Sequence, residues 1–320
     1  MKRRDLFKAG MAAFAGSLFN KAAFGGESGL RDASAPLLRR RYADGIELSI
    51  IGFGGIVVVG LDQPDANRTV SESIDAGVNY FDVAPSYGDG EAEEKLGKGL
   101  KPYRNNIFLA CKTTERDAGG SEKELNISLK RVGVDHFDLY QLHAVTELKE
   151  VEQIFAPKGA IETFVKAQKE GKIRFIGFSA HSEEAALSLL DHFKFDSVLF
   201  PINFVCYGQG NFGPRVVEKA KKSGASRLAL KTLAYTPIAD NVEKKYPKCW
   251  YRPVDEESLA EKALRFTLSQ EITAAIPPGD ERLYKMALTL AKRFKPMSEN
   301  EITALLQQTQ NIEPLFPLQT

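Results

Sequence analysis

The chain has 320 residues, 43% hydrophobic and 27% charged, with a formal charge of +1. That is an ordinary globular composition with room for one large domain or two smaller ones. The charge is unevenly placed: residues 1–25 carry Lys2, Arg3, Arg4, Lys8 and Lys21 against Asp5, a local +4 that leaves −3 for the rest. A near-neutral body has no electrostatic footprint for nucleic acid, which excludes that class of partner.

The N-terminus reads MKRRDLFKAGMAAFAGSLFNKAAFGG. A basic start, an Ala/Gly-rich apolar run from Ala9 to Phe19 and a small-residue exit are the parts of a secretory signal. The run is too short and too weakly apolar for a permanent membrane span. The stretch from Arg3 to Lys8 resembles a twin-arginine export signal, which is an address read by export machinery and not an anchor. Residues 1–26 are therefore expected to be a signal peptide cut within Ala23–Gly26, 27–36 a linker, and 37–320 a domain delivered to the periplasm. The three cysteines, Cys111, Cys206 and Cys249, are widely separated and lack metal-type spacing. A disulfide framework is not expected, and export of an already folded, cofactor-loaded chain suits such a sequence.

Beyond the linker, RYADGIELSI signals a hairpin turning at Asp44-Gly45. A repeating pattern follows. The strand-like runs are IGFGGIVVV, VNYFDV, NIFLACK, FDLYQLH, IRFIGFS, DSVLFPIN, RLALKT and ITAAIP. Helical stretches separate them, several ending on Gly or a basic turn, as helix C-termini prefer. Eight short apolar strands alternating with helices predict a parallel sheet, and eight such units in about 270 residues fit a closed (β/α)8 TIM barrel. The competing open, doubly wound sheet needs a G-x-G-x-x-G fingerprint, and its third glycine would fall at Val57. A last helix with Ser298 as its N-cap follows the eighth strand and closes over one side or end of the barrel. The expected fold is a barrel with an N-terminal β-hairpin and an extra C-terminal helix.

In such barrels chemistry sits where strands end and the loops toward the helices begin. The second strand ends at Asp82, with Tyr87 on the loop after it. The third ends at Lys112 and the fourth at His143. Alternation places Phe108, Ala110 and Lys112 on one face, and Leu139, Gln141 and His143 on one face of the next strand. If those faces point inward, an acid, a phenol, an amine and an imidazole meet at one mouth. A tyrosine is a reluctant acid at neutral pH, and a neighbouring ammonium lowers its pKa. A buried ammonium needs a carboxylate. The set suits protonation of an oxygen on which charge develops, as in hydride reduction of a carbonyl, where a cofactor must supply the hydride.

Over residues 40–312 the chain resembles the aldo-keto reductase superfamily. The resemblance is carried by AGVNYFDVAPSYGDGEAEEKLGKGL, LACKT, FDLYQLH, EGKIRFIGFSAHS and AIPPG, in the family's order. It implies Tyr87 as general acid, Lys112 as its partner, Asp82 as the lysine's counter-ion and His143 as carbonyl orienter. It also implies NADPH, or NADH, as cofactor. Ser179 matches the position that binds the nicotinamide carboxamide, although Ala180 replaces the usual asparagine, and Asn203 stands where glutamine is commoner. After the seventh strand, LALKTLAYTP allows Leu230 or Tyr235 at the nicotinamide-stacking position. The preferred register takes Leu230 and makes Lys231 and Thr232 pyrophosphate candidates. PPGDERLYK resembles the adenosine-phosphate loop, with Gly279 for close approach and Arg282 for a 2′-phosphate. Asp280 and Glu281 beside it argue against a phosphate. Gly54 and Gly55 admit the cofactor to the backbone.

The loop Thr236–Glu257 is long enough for a lid or clasp. Its Trp250 and Tyr251, with Val57 and Tyr207, are candidates for the wall of a pocket that takes a small carbonyl substrate. Two other readings compete. One is an exported dinucleotide-binding regulatory or structural protein with little turnover. The other is a metal-dependent barrel hydrolase, which the scattered His136, His143, His181 and His192 do not support, so no metal is expected.

Overall fold

The computed structural model describes residues 36–318. The expected signal, and all of the expected linker except Pro36, lie outside them. The first element is the hairpin signalled by Asp44-Gly45. Strand β1 (Arg39–Ala43) pairs antiparallel with β2 (Ile46–Ser49), and Gly45 supplies the left-handed turn at φ +70°.

The repeat then runs β3 (Phe53–Gly54), α1 (Gln63–Asp75), β4 (Tyr80–Asp82), α2 (Glu91–Leu100), β5 (Phe108–Thr113), α3 (Ala118–Val132) and β6 (Phe137–Val145). Two helices follow, α4 (Leu148–Phe155) and α5 (Ala160–Lys169), then β7 (Ile173–Ala180), α6 (Glu183–His192) and β8 (Ser197–Pro201). Next come α7 (Phe204–Gly208), α8 (Pro214–Ser223) and β9 (Ser226–Leu230). A second hairpin, β10 (Ala234–Pro237) with β11 (Tyr251–Pro253), occupies the ends of the long loop. Helix α9 (Glu257–Ser269), β12 (Ala274–Ile276), α10 (Glu281–Lys292) and α11 (Glu299–Gln307) complete the chain.

Strands β3 to β9 and then β12 lie side by side, all parallel. The bridge Ile51–Ala275 joins the two edges, with the Gly52 N–H donating to the Ala275 carbonyl at 2.9 Å. This is the predicted (β/α)8 barrel. Its inside is a separate apolar cluster in which Tyr42 and Leu48 of the hairpin meet Tyr80, Phe108, Leu139, Leu199 and Leu228. Every second strand residue thus points inward, and the hairpin fills the end where the strands begin. The outward residues form the larger core under the helices.

Local signals explain the helix ends. Asp62, Asp117, Ser182, Asp280 and Ser298 cap α1, α3, α6, α10 and α11 with their side chains. Ser298 and Glu301 form a reciprocal capping box, and α11 packs on α7. IGFGGIVVV, expected as one strand, pairs only at the single bridge of Ile51 and over Phe53–Gly54. The chain then turns through a 3₁₀ segment, Gly55–Val58, because burying Val57 and Val58 in the outer core takes them off the sheet. No helix among the described residues is long and apolar enough to cross a membrane.

Candidate active site

The three inward strand ends meet as their alternation requires. The Lys112 ammonium is ion-paired with Asp82 Oδ1, donates to Tyr87 Oη at 3.0 Å and reaches the Val83 carbonyl at 3.3 Å. Asp82 and Lys112 are each only 1% exposed. The second carboxylate oxygen, Oδ2, accepts from Tyr80 Oη at 3.2 Å and from Gln141 Nε2 at 3.1 Å. Alternation already places Gln141 on the His143 face, though without a role. Tyr80 was not singled out from sequence, but it stands two residues before Asp82, so the same alternation could have found it.

Charge at this centre is set by enclosure and by near neighbours. Burial works against the Lys112 ammonium, but Asp82 and Tyr87 outweigh it and hold the group above the ordinary lysine range. Burial pushes the Tyr87 phenol up more than Lys112 pulls it down. The lowering expected from the ammonium alone is therefore reversed, and Tyr87 keeps its proton at neutral pH. His143 is driven well below its ordinary value by burial, and then by the positive charge of Lys112, so its ring is neutral. It meets Tyr87 edge to face at 5.8 Å between centroids, and its Nδ1 has no partner among the described residues. The backbone holds this ring rigidly. Arg116 Nη2, paired with Glu150, donates to the His143 carbonyl at 2.7 Å. Ala144 takes a left-handed φ of +52° and donates its N–H to Ser179 Oγ at 2.7 Å. A non-glycine residue in that region marks a position the surroundings impose.

The candidate cofactor residues lie on the other half of the rim, at the ends of β3, β7, β8, β9 and β12. Gly54 ends β3 and Gly55 begins the 3₁₀ turn. Ser179 is buried near the end of β7. Asn203 uses Oδ1 to cap α7 through Val205 and Cys206, leaving Nδ2 against Cys206 Sγ at 3.3 Å. Leu230 is the last residue of β9, whereas Tyr235 lies beyond it in β10. Thr232 is fully buried with its hydroxyl unpartnered among the described residues. An orphaned hydroxyl at the rim, beside buried donors on neighbouring strands, fits a polar ligand lying across these strand ends.

At the β12 end, a Cβ on Gly279 would stand 2.4 Å from Ile56 Cγ2, so packing on the 3₁₀ turn already requires glycine there. Arg282 is turned back on Asp280, Nε to Oδ1 at 2.9 Å and Nη2 to Oδ2 at 3.0 Å, and lies over the Tyr246 ring. The Asp280 charge is thus matched by Arg282 and by the α10 N-terminus, and Glu281 pairs with Lys285 at 2.8 Å, so both acids expected to repel a phosphate are partnered.

The candidate pocket residues separate. Val57 is fully buried in the outer core, and its carbonyl accepts from Lys248 at 2.8 Å. Tyr207 is half-buried, edge-on against Phe266 of α9. Trp250 is 52% exposed and meets the buried Tyr251 at 5.2 Å. Sequence reasoning missed Phe316, which stacks on His181 at 5.3 Å and touches Trp250 at 6.1 Å. The tail carrying it is tied down where the Leu318 N–H donates to the Gly210 carbonyl. No local pattern marks a contact between a chain end and a loop so distant in sequence. No cluster that could hold a metal ion occurs among the described residues.

A family model described as "Aldo/keto reductase family" matches residues 51–295. The uncharacterized oxidoreductase YqkF of Bacillus subtilis is 24% identical over 300 residues, covering 85% of this chain and 96% of that protein. The aldo-keto reductase yakc [NADP(+)] of Schizosaccharomyces pombe is 34% identical over 147 residues, 40% of this chain and 42% of its own length. Among solved structures, the holo form of an aldo-keto reductase from Bacillus halodurans superposes with a TM-score of 0.67 at 23% identity, covering 85% of this chain and 96% of that one.

Proposed function

Because the chain belongs to the aldo/keto reductase family, we propose that it reduces aldehydes or ketones to alcohols with NADPH, NADH being the alternative donor. The observation that carries this reading is the chain of contacts from Asp82 through Lys112 to Tyr87 beside a neutral His143. Ser179 and Asn203 would hold the carboxamide, Leu230 the face of the ring, Thr232 the pyrophosphate and Arg282 a 2′-phosphate, with Gly54, Gly55 and Gly279 beside the dinucleotide. The name of the yakc relative, which includes NADP(+), supports the phosphorylated form.

A bound reduced nicotinamide supplies the hydride that the carbonyl carbon receives. The chain's own residues manage the oxygen. The neutral His143 ring orients it through a hydrogen bond. Tyr87 transfers its phenolic proton as negative charge grows on that oxygen. Lys112 stabilises the phenolate left behind, and Asp82, fixed by Tyr80 and Gln141, keeps Lys112 charged. The raised phenol pKa suits this direction, since the acid must carry its proton before the step. We further propose that residues 1–26 direct the folded protein to the periplasm through twin-arginine machinery.

The test is dinucleotide oxidation by the purified protein with a panel of aldehydes, α-dicarbonyls and quinones. Turnover with NADPH supports the reading. Tight dinucleotide binding with no turnover across the panel would replace it with the regulatory one.

A further inference from the structure

Lys231 has three features that destabilise a fold and that the fold itself does not explain. It follows the last residue of β9 at φ +66°, a left-handed backbone that non-glycine residues rarely take. Its side chain is largely enclosed, with the ammonium 5.1 Å from the ring centroids of both Trp250 and Tyr251. It has no carboxylate partner among the described residues. The titratable groups around it are Lys112, His143, His181, Cys249 and Tyr251, and none is an anion at neutral pH. Burial pulls Lys231 down to about 8, which leaves it mostly charged at pH 7. Lys112, the other enclosed lysine of this mouth, has Asp82. A held, desolvated cation without an anion is the arrangement of a site that receives one.

Its position favours an anion on the substrate. From Tyr251 and Trp250 an aromatic surface runs to Phe316 and on to His181, whose ring is neutral with a pKa of about 3 and whose buried Nε2 lacks a partner. The His181 backbone N–H donates to the Val145 carbonyl at 3.0 Å, two residues beyond His143 at the end of β6, so this surface adjoins the reacting centre. The phosphate-loop edge, at the start of α10, has its own cations in Arg282, Lys245 and Lys248. We propose that Lys231, with the His181 ring at the far end of this aromatic surface, binds a carboxylate carried by the substrate away from its reacting carbonyl. The preferred substrates are then aldehyde acids or keto acids with a flat or apolar body. This rests on the reductase reading above, and it moves Lys231 from the pyrophosphate role expected from sequence to the substrate.

Trp250 is the only tryptophan of the chain, so its fluorescence reports on this spot. In the wild-type protein, benzoate is expected to change that fluorescence saturably and to bind about tenfold more tightly than benzamide, the scale of one charge-assisted hydrogen bond. Lys231→Met should remove the preference and Lys231→Arg should keep most of it. In turnover, the kcat/KM ratio of para-carboxybenzaldehyde to benzaldehyde should fall by about tenfold or more in Lys231→Met, with NADPH affinity within about threefold of wild type. Equal benzoate binding by wild type and Lys231→Met would overturn the proposal. So would a Lys231→Met variant whose NADPH affinity drops while the substrate ratio holds, since Lys231 would then serve the pyrophosphate. If no aldehyde, α-dicarbonyl or quinone of the panel is reduced, the reductase reading fails, whereas the benzoate titration still reads the site.

Discussion

At the scale of single residues, the centre is a buried charge pair whose partners depend on each other. Removing one side leaves the other uncompensated, so Lys112→Met is expected to destabilise the fold by about 3–5 kcal/mol in urea unfolding. Adding Asp82→Asn should recover part of that loss. If Lys112→Met unfolds at the wild-type midpoint, the pair is not coupled as described. The histidines set the acid limit. His143 and His181 are both held below the ordinary histidine value by burial. The unfolded chain takes up protons on them near pH 6.5 while the fold does not, so stability falls as pH drops through that range. Urea midpoints at pH 7 and about pH 4.5 should show the loss, and His181→Gln should shrink it. An undiminished loss in that variant would place the acid sensitivity on carboxylates. Asp82, Lys112 and His143 were legible in the sequence because period-two alternation and strand ends place them. The sign of the Tyr87 shift was not, since it depends on enclosure by segments remote in the chain.

At the scale of elements, the rim divides its work. Strands β4, β5 and β6 carry Asp82, Lys112 and His143, and β7, β8, β9 and β12 carry the polar groups opposite. The first hairpin, the eight barrel strands and the cap at Ser298 could be read from sequence, because each rests on local pattern, whereas α4, α7 and the hairpin β10–β11 were not read. The early end of β3 could not, because burial of Val57 and Val58 is a tertiary event that overrides an apolar run. Gly279 shows how one residue admits two local explanations. Packing against Ile56 predicts that Gly279→Ala lowers stability by about 1–3 kcal/mol, read from the urea midpoint. If stability is unchanged and only dinucleotide affinity drops, the glycine serves the ligand and not the turn. Trp250 and Tyr251 could be named from a long loop, but their meeting with Phe316 and Lys231 arises only once the tail folds back.

At the scale of the whole molecule, a closed barrel gathers Asp82, Tyr87, Lys112 and His143 at one mouth, and an expected export address precedes it. If the arginine pair is that address, Arg3→Lys with Arg4→Lys should leave the protein in the cytoplasm, folded and able to bind dinucleotide. Unchanged delivery to the periplasm would remove the export reading without touching the barrel. The central claim is that Tyr87 gives its proton to the carbonyl oxygen. Its most direct test is steady-state NADPH oxidation with one good aldehyde, wild type against Tyr87→Phe, with dinucleotide affinity measured in parallel. General acid catalysis predicts a fall in kcat of about 10²–10⁴-fold with dinucleotide binding nearly unchanged. Tyr87→Phe turning over at the wild-type rate would contradict the account, and another group would have to protonate the oxygen.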